Sequence, residues 1–436
     1  MSRVTDSAAR RAERAWLEAT FDRLWPLPRS LTGDGVRRTH DILGETMPLT
    51  RLEVASGTRA FDWTVPDEWR VRAAYVVGPD GTRVVDHADS NLHLLGYSTA
   101  FRGRLTRAEL DRHLYSLPDR PDAVPYATSY YSPRWGFCLT QRRRDALPEG
   151  EYEVVVDTET FRGSMTLSDC LLPGASGREV LLSTYTCHPS LANNELSGPL
   201  VAAALYARLA AWPTRRLGYR FVLGPETIGA LAYLSLHGEH LVAHVDAGLV
   251  LTCLGDRAPL TYKRSRQGDA LGDRAARVAL PAFGGTRWRD FSPLGSDERQ
   301  YSSPGFALPV GSLMRSAYGT YPEYHTSDDD KAFISFERLQ ESVDACEAWC
   351  RAVDIGGASY RSLAPYGEPQ LGRRGLYPDL TVGASNVGAQ EAIFWVLNFA
   401  DGEHDLLAVH ERSGIALGEL HAAAARCVGA GLIEAA

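Results

Sequence analysis

Four side chains far apart in the chain could together hold a metal ion and move a proton. They are His188, Glu195, Glu226 and His325. His188 and Glu195 lie in Cys187-His188-Pro189-Ser190-Leu191-Ala192-Asn193-Asn194-Glu195, and Glu226 lies in Gly224-Pro225-Glu226-Thr227. His325 lies in Tyr321-Pro322-Glu323-Tyr324-His325-Thr326-Ser327-Asp328-Asp329. Two imidazoles with carboxylates form a borderline-soft N/O site. It suits one divalent metal, zinc first, with manganese, iron or cobalt second. Such an ion lowers the pKa of a bound water and polarises a carbonyl. A Glu without a bond to the metal can then carry the proton from that water to a leaving amine. Asn194, Asp297, Glu298, Arg299, Arg315 and Glu323 are candidates for substrate binding around this centre. Each residue also has a plainer reading. The histidines could be a hydrogen-bonded structural pair. Glu195 and Glu226 could cap helix starts, where negative charge is favoured. Asp297, Glu298, Arg299 and Arg315 could form an ion-pair network that stiffens a loop. Cys187 is a poor nucleophile candidate, because neighbours on a strand point apart.

These groups need a scaffold that brings them to one edge. Val180–Thr186 is an apolar, β-branched run that reads as a buried strand, and Pro189 ends its ladder. Ser197-Gly198-Pro199 opens an Ala/Leu-rich helix over 199–212. Further strands are expected at Glu151–Asp157, Arg220–Leu223 and Ala247–Cys253, with helices over 8–24, 36–43, 228–236, 269–279 and 333–352. Alternation of this kind predicts an α/β fold, a mostly parallel mixed sheet flanked by helices. Its ligand site falls at the carboxyl ends of the strands. The stretch 291–330, rich in Gly, Pro and Ser, reads as a functional loop and not a core element. Residues 51–145 carry short alternating runs, Arg72–Val77 and Arg83–Asp86, among dense aromatics including Trp63, Tyr126, Tyr130 and Tyr131. They read as a small inserted β-rich domain, either a packing module or a lid over the entrance. Residues 376–436 read as three short helices, 389–399, 405–413 and 416–430, in a winged-helix-like domain. The expected division is 1–50 with 146–375 as the catalytic domain, 51–145 as the insert and 376–436 as the C-terminal domain.

Composition narrows the class. Hydrophobic residues are 44% and charged residues 23%, which suits a globular chain with a large core. The net charge of -8 disfavours polyanion binding. The C-terminal segment holds Arg412 and Arg426 as its only cations, too few for a helix that faces phosphates, so no nucleic acid is expected. No apolar run approaches the roughly 20 residues that cross a bilayer, so no membrane partner is expected. The start, Met1-Ser2-Arg3-Val4-Thr5-Asp6, lacks the apolar core of a signal peptide. Seven scattered cysteines fit a reduced, cytoplasmic protein. A small-molecule or peptide-like substrate is expected, and the aromatic insert and acidic tail are compatible with a homo-oligomer.

The sequence resembles a bacterial aminopeptidase-like family whose members join a peptidase-like domain to an inserted β domain and a C-terminal winged helix. Its marks here include Arg29-Ser30-Leu31-Thr32-Gly33, Asp62-Trp63, Glu68-Trp69, Tyr130-Tyr131 and Trp135-Gly136-Phe137-Cys138. Others are Cys187-His188-Pro189-Ser190, Pro225-Glu226-Thr227-Ile228-Gly229, Gly295 to Tyr301, Tyr321 to Ser327 and Glu368 to Gly372. The core is in turn similar to the zinc-aminopeptidase clan. That resemblance implies His188 as the first histidine ligand and His325 as the last. It sets Asn194 where the clan has an Asp bridging two metals, with Glu195 beside it as a replacement carboxylate. A gapless match sets Glu226 as general base and Thr227 in a ligand's place. A one-residue gap would instead make Glu226 the ligand. Thr252 falls where the clan has an Asp ligand, with Asp246 and Asp256 off register. The resemblance therefore implies one metal at most, held by His188, His325 and a carboxylate, or a metal-free site. The expected activity is metal-dependent hydrolysis of an amide in a small aminoacyl or peptidyl substrate. The alternatives are acyl transfer or cyclisation on the same scaffold, or a non-catalytic binding or assembly protein that has lost the metals.

Overall fold

The computed structural model describes residues 7–376 and 387–436. The hexapeptide behind the signal-peptide reading, and 377–386 of the expected C-terminal domain, lie outside them. The centre is an eight-stranded mixed sheet. Its strands in chain order are β1 (Thr50–Ala55), β2 (Ser164–Leu172), β3 (Glu179–Tyr185), β4 (Gly218–Gly224), β5 (Val245–Leu251), β6 (Thr261–Lys263), β7 (Arg287–Arg289) and β8 (Val310–Met314). The spatial order is β1-β2-β4-β3-β5-β8-β6-β7. Strands β4, β3, β5 and β8 run parallel to one another.

Every residue of β3 is buried. Helices cover both faces, which is why the strand reads as a continuous apolar run without alternation. The two-residue period survives in the packing. Val180 and Leu182 enter one core with Leu200, Leu205 and Trp349, while Leu181 enters the other with Val222, Ile228 and Leu241. Helices Ala8–Leu24, Ser197–Ala210 and Phe336–Gly356 supply the first core, and Ile228–His244 supplies the second. The helix at Ser197 starts very close to the sheet. A Cβ on Gly198 would meet Thr184 Oγ1 at 2.3 Å and the Leu251 carbonyl oxygen at 2.4 Å.

Three strand readings change. Val310–Met314, inside the stretch expected to be loop, is the fully buried strand β8. Its Val-Gly-Ser-Leu-Met sequence is short and weakly β-branched, and only pairing between β5 and β6 makes it a strand. Glu151–Phe161, expected in the main sheet, is the long strand of the insert and pairs with Glu68–Val77 and Phe101–Thr106. The insert's sheet therefore runs to Phe161, past the expected boundary at 145. The third change is at the C-terminus. Ser359–Ser362 pairs with Asp401–Asp405 and Ile433–Ala435, so the winged-helix fold begins before 376. Among the described residues no helix is long and apolar enough to cross a membrane.

One buried histidine ties a helix to this sheet and carries a pH prediction. His40, on Asp34–Gly44, bonds Ser168 Oγ through Nδ1 (2.8 Å) and Thr186 Oγ1 through Nε2 (2.9 Å). Burial, helped by the charge of Arg51, pushes its pKa down to about 3. The unfolded chain then takes up this proton first, so stability is lost as pH falls below about 6.5. From neutrality to pH ~4.5 this residue alone should cost about 2–3 kcal/mol, at 1.36 kcal/mol per unit. Urea denaturation at both pH values should show that loss in the wild type and a clearly smaller one in His40→Asn. Equal losses would reject this account.

Candidate active site

The four parallel strands end at one rim, and their following loops carry the candidate residues. Thr186 to Glu195 follows β3, Gly224 to Thr227 follows β4, Thr252 to Asp256 follows β5 and Arg315 to Asp329 follows β8. Several residues here hold left-handed backbone without being glycine: Ser190 (φ 45), Thr227 (φ 64), Cys253 (φ 51) and His325 (φ 56). Such conformations cost of order 1–3 kcal/mol each and persist only when the surroundings enforce them. For the β-branched Thr227 the enforcing contact is visible. Its N–H donates to Asp297 Oδ1 at 2.7 Å.

Ala192–Leu196 forms one turn of π-helix ahead of Ser197–Ala210. Asp329 clamps it, accepting from the N–H groups of Asn193 (2.6 Å) and Asn194 (2.9 Å). Burial raises the Asp329 carboxyl to about 7 in spite of those donors. The turn aims Glu195 at His188, with Nδ1 to Oε2 at 2.8 Å. Arg29, buried from the N-terminal loop, completes the support. Its Nε donates to the His188 carbonyl (2.9 Å), lies 3.7 Å from Glu195 Oε1, and its Nη1 donates to the Leu24 carbonyl (2.6 Å). Burial works against charge on His188, and the Glu195 carboxylate bonded to Nδ1 favours it. Burial raises Glu195 while His188 and Arg29 pull it down. Glu195 carries the negative charge, facing Arg29, and accepts the Nδ1 proton of His188, which leaves Nε2 as the ring nitrogen with the free lone pair.

The other ring nitrogen of His188, Nε2, lies 3.9 Å from Glu226 Oε2. Glu226 Oε1 accepts from Ser296 Oγ at 2.6 Å. The His325 ring stands 5.2 Å from His188, centre to centre. Burial, reinforced by His188, drops the His325 pKa to about 3, so its ring is neutral at pH 7, and its buried Nε2 has no protein partner. Tyr126 lies 5.1 Å from both imidazoles. The insert delivers it by pairing its backbone with the His325 loop. Tyr126 N–H donates to the His325 carbonyl and Ser327 N–H to the Val124 carbonyl, each at 2.8 Å.

These groups open into a cavity of about 520 Å3. Its insert wall includes Trp63, Tyr126, Tyr130, Tyr131 and Arg134, and its main-sheet wall includes His188, Glu226, Thr227, Arg299 and His325. The insert thus forms one wall of the cavity as well as packing against the main sheet domain. Cys187 Sγ lies 3.4 Å from His188 Nδ1, but burial raises the thiol to about 11, so it is no thiolate at neutral pH.

The sequence-predicted residues divide. His188, His325, Glu226 and Arg299 share the cavity. Glu195 stands behind His188. Among the described residues the group whose ligand atoms all lie within 4.8 Å of one another is Cys187, His188 and Glu195. The expected ligand trio of His188, His325 and Glu195 is therefore not gathered, because Glu195 occupies the Nδ1 side of the ring. Asn194 is buried, and neither its Oδ1 nor its Nδ2 has a protein partner. Asp297 lies behind the wall, spent on Thr227. Glu298 is bound to Lys263 (2.7 Å) and Tyr318 (2.8 Å), away from the cavity. Arg315 is consumed by the carbonyls of Ala258 and Arg338 and by Glu341. For these two the ion-pair-network reading is the correct one. Glu323 does not line the cavity. Arg29, Tyr126 and Ser296 were not singled out for roles here. The density of aromatics in 51–145 was the one signal that pointed toward Tyr126.

The sheet, the insert at its rim and the terminal winged helix define an aminopeptidase-like α/β protein. A crystal structure from Clostridium acetobutylicum, provisionally described as a peptidase, superposes with a TM-score of 0.87 at 38% identity, covering 98% of this chain and 97% of that one. A zinc aminopeptidase from Bacillus subtilis shares the fold, with a TM-score of 0.58 at 13% identity over 78% of this chain and 93% of its own. A Clostridium acetobutylicum protein, provisionally described as a polysaccharide biosynthesis protein with aminopeptidase-like domain, is 42% identical over 396 residues, 91% of this chain and 90% of the relative. The chain belongs to the family described as Domain of unknown function (DUF4910), which matches residues 18–355, followed by a winged helix-turn-helix over 358–435.

Proposed function

We propose that the protein hydrolyses an amide bond with the help of one divalent metal, zinc first. The observation that carries this reading is the pairing of the unpartnered, neutral His325 Nε2 with His188, beside a carboxylate, at the floor of one cavity. A buried ring nitrogen without a partner costs about 1–3 kcal/mol unless something meets it. His188 and His325 fit as imidazole ligands of one ion, their rings 5.2 Å apart between centres. Glu195 fits the carboxylate that fixes a metal-binding histidine's tautomer from behind. A second ion does not fit. Asn194 and Thr252 are neutral, and Thr252 Oγ1 is taken up by Tyr185 and by the Asn194 carbonyl.

When bound, such an ion polarises the scissile carbonyl and activates water. Glu226 takes the proton from the attacking water and passes it to the leaving nitrogen. Ser296 holds Glu226 Oε1 so that Oε2 stays turned to the cavity. The insert packs Tyr126 against both rings and shields that side of them from solvent. The relative's description directs the substrate search toward aminoacyl or acyl groups joined by amide bonds to sugars.

Protein purified without chelator should hold about one equivalent of zinc or manganese. His325→Ala should lose that metal while keeping its fold, and amide hydrolysis should follow metal content. Full metal binding by His325→Ala, or turnover indifferent to metal removal, would overturn the reading.

A further inference from the structure

The charges lining the cavity are the reverse of what a free amino terminus needs. An α-ammonium group calls for a carboxylate acceptor, and Glu226 is the one carboxylate among the lining residues. It is committed to Ser296 and faces His188. Asp297 is no substitute. It is buried behind the wall, bonded to the Thr227 N–H, and burial with the nearby Glu226 drives it toward the neutral acid.

Two guanidiniums line the same space, Arg299 in the half-buried wall and Arg134 at the exposed mouth. Neither forms an ion pair among the described residues. Arg299 has one weak hydrogen bond, Nη2 to Thr227 Oγ1 at 3.3 Å, and its buried Nε has no partner. The charged groups that face it are Asp297 and, across the cavity, Glu226. Arg134 donates to the Thr128 carbonyl at 3.1 Å and lies over the Tyr115 ring. Elsewhere the part-buried Arg37, Arg208, Arg220 and Arg274 are ion-paired, and Arg215 and Arg216 donate to several backbone carbonyls instead. A guanidinium offers a fork of donors that matches a carboxylate or a phosphate. Beside the two cations, the aromatic side chains of Trp63, Tyr126, Tyr130 and Tyr131 line the cavity. Such rings suit the flat or weakly polar body of a ligand.

We infer that the substrate is an anionic amide, an N-acyl compound bearing a carboxylate or phosphate, whose negative group is held by Arg299 and guided in by Arg134. The inference rests on the hydrolase reading only for the word amide. The charge preference belongs to the cavity itself. It distinguishes this site from one that trims free amino termini.

The test is calorimetric binding with three probes of similar size. N-benzoylglycine carries the carboxylate, N-benzoylglycinamide is neutral, and glycine anilide carries the free amine. N-benzoylglycine should bind at least ~10-fold more tightly than either of the others, the size of effect a charge-assisted contact gives. Arg299→Gln should erase its advantage over the neutral amide, and Arg134→Gln should reduce it by a smaller factor and flatten its salt dependence. Preference for the amine, no binding of the carboxylate probe, or an undiminished preference in Arg299→Gln overturns the inference. Binding is read without turnover. A charge preference without hydrolysis would therefore count against the hydrolase reading alone, and hydrolysis without it against this inference alone.

Discussion

Glu226→Gln should lower turnover by ~10^2–10^4-fold while leaving metal content, thermal midpoint and ligand binding unchanged, the range expected for losing a positioned proton carrier. The replacement is nearly isosteric, and its amide oxygen can still accept from Ser296 Oγ. The local backbone does not depend on the carboxylate. Glu226 N–H rests on Cys187 Sγ at 3.2 Å, and Thr227 N–H is fixed by Asp297. The side chain is about a quarter exposed, 27%, so the change leaves no charge or cavity buried in the core. What the amide lacks is the capacity to take a proton. The prediction also separates the two roles open to Glu226. As a ligand, its loss would lower metal content together with turnover. As the proton carrier, it lowers turnover alone. Assays of the metal-loaded variant decide the matter, and wild-type turnover in Glu226→Gln would remove this residue from the chemistry.

How much of this was readable in the sequence depended on how local the cause was. The strand leading to the His188 loop was legible because burial on both faces leaves an unbroken apolar run. The helix after it was legible from Ser197-Gly198-Pro199. The meeting of His188 and His325 was reached through a resemblance and the rule that ligands sit at strand ends. No local pattern joins residues that far apart. Strand β8 was missed because Val310–Met314 owes its conformation to flanking strands. Glu151–Phe161 was assigned to the wrong sheet, since alternation reports a strand but not its partner. Arg315 and Glu298 looked like pocket groups because a charged residue in a polar loop carries no mark of burial. Arg315 is in fact consumed by internal partners, and Glu298 is held through Oε1 by Lys263 and Tyr318. Tyr126 reaches the site only through an antiparallel bridge between the insert and the His325 loop.

Arg29 makes the same point with the largest expected effect on stability. Arg29→Met should cost about 3–5 kcal/mol, the usual penalty for removing one partner of a buried ion pair. Its guanidinium is wholly enclosed, and burial lowers even its pKa. Without it, the His188 carbonyl loses its donor, the Leu24 carbonyl is left with the Leu27 N–H, and Glu195 keeps the His188 imidazole as its partner. The same carboxylate orients His188, so the loss reaches the chemistry through a positioning residue that does not line the cavity. Two outcomes separate this account from a merely structural role. In a double-mutant cycle with Glu195→Gln, the two losses should fall short of their sum by about 1–3 kcal/mol, because removing the carboxylate removes part of the need for the cation. Metal affinity, measured where each variant is still folded, should drop by about 10–100-fold in Glu195→Gln, as it does when a ligating histidine loses its outer carboxylate. Strictly additive losses with unchanged metal affinity would mean that Arg29 and Glu195 only hold the loop in place. The two imidazoles would then need another explanation for the orientation they share.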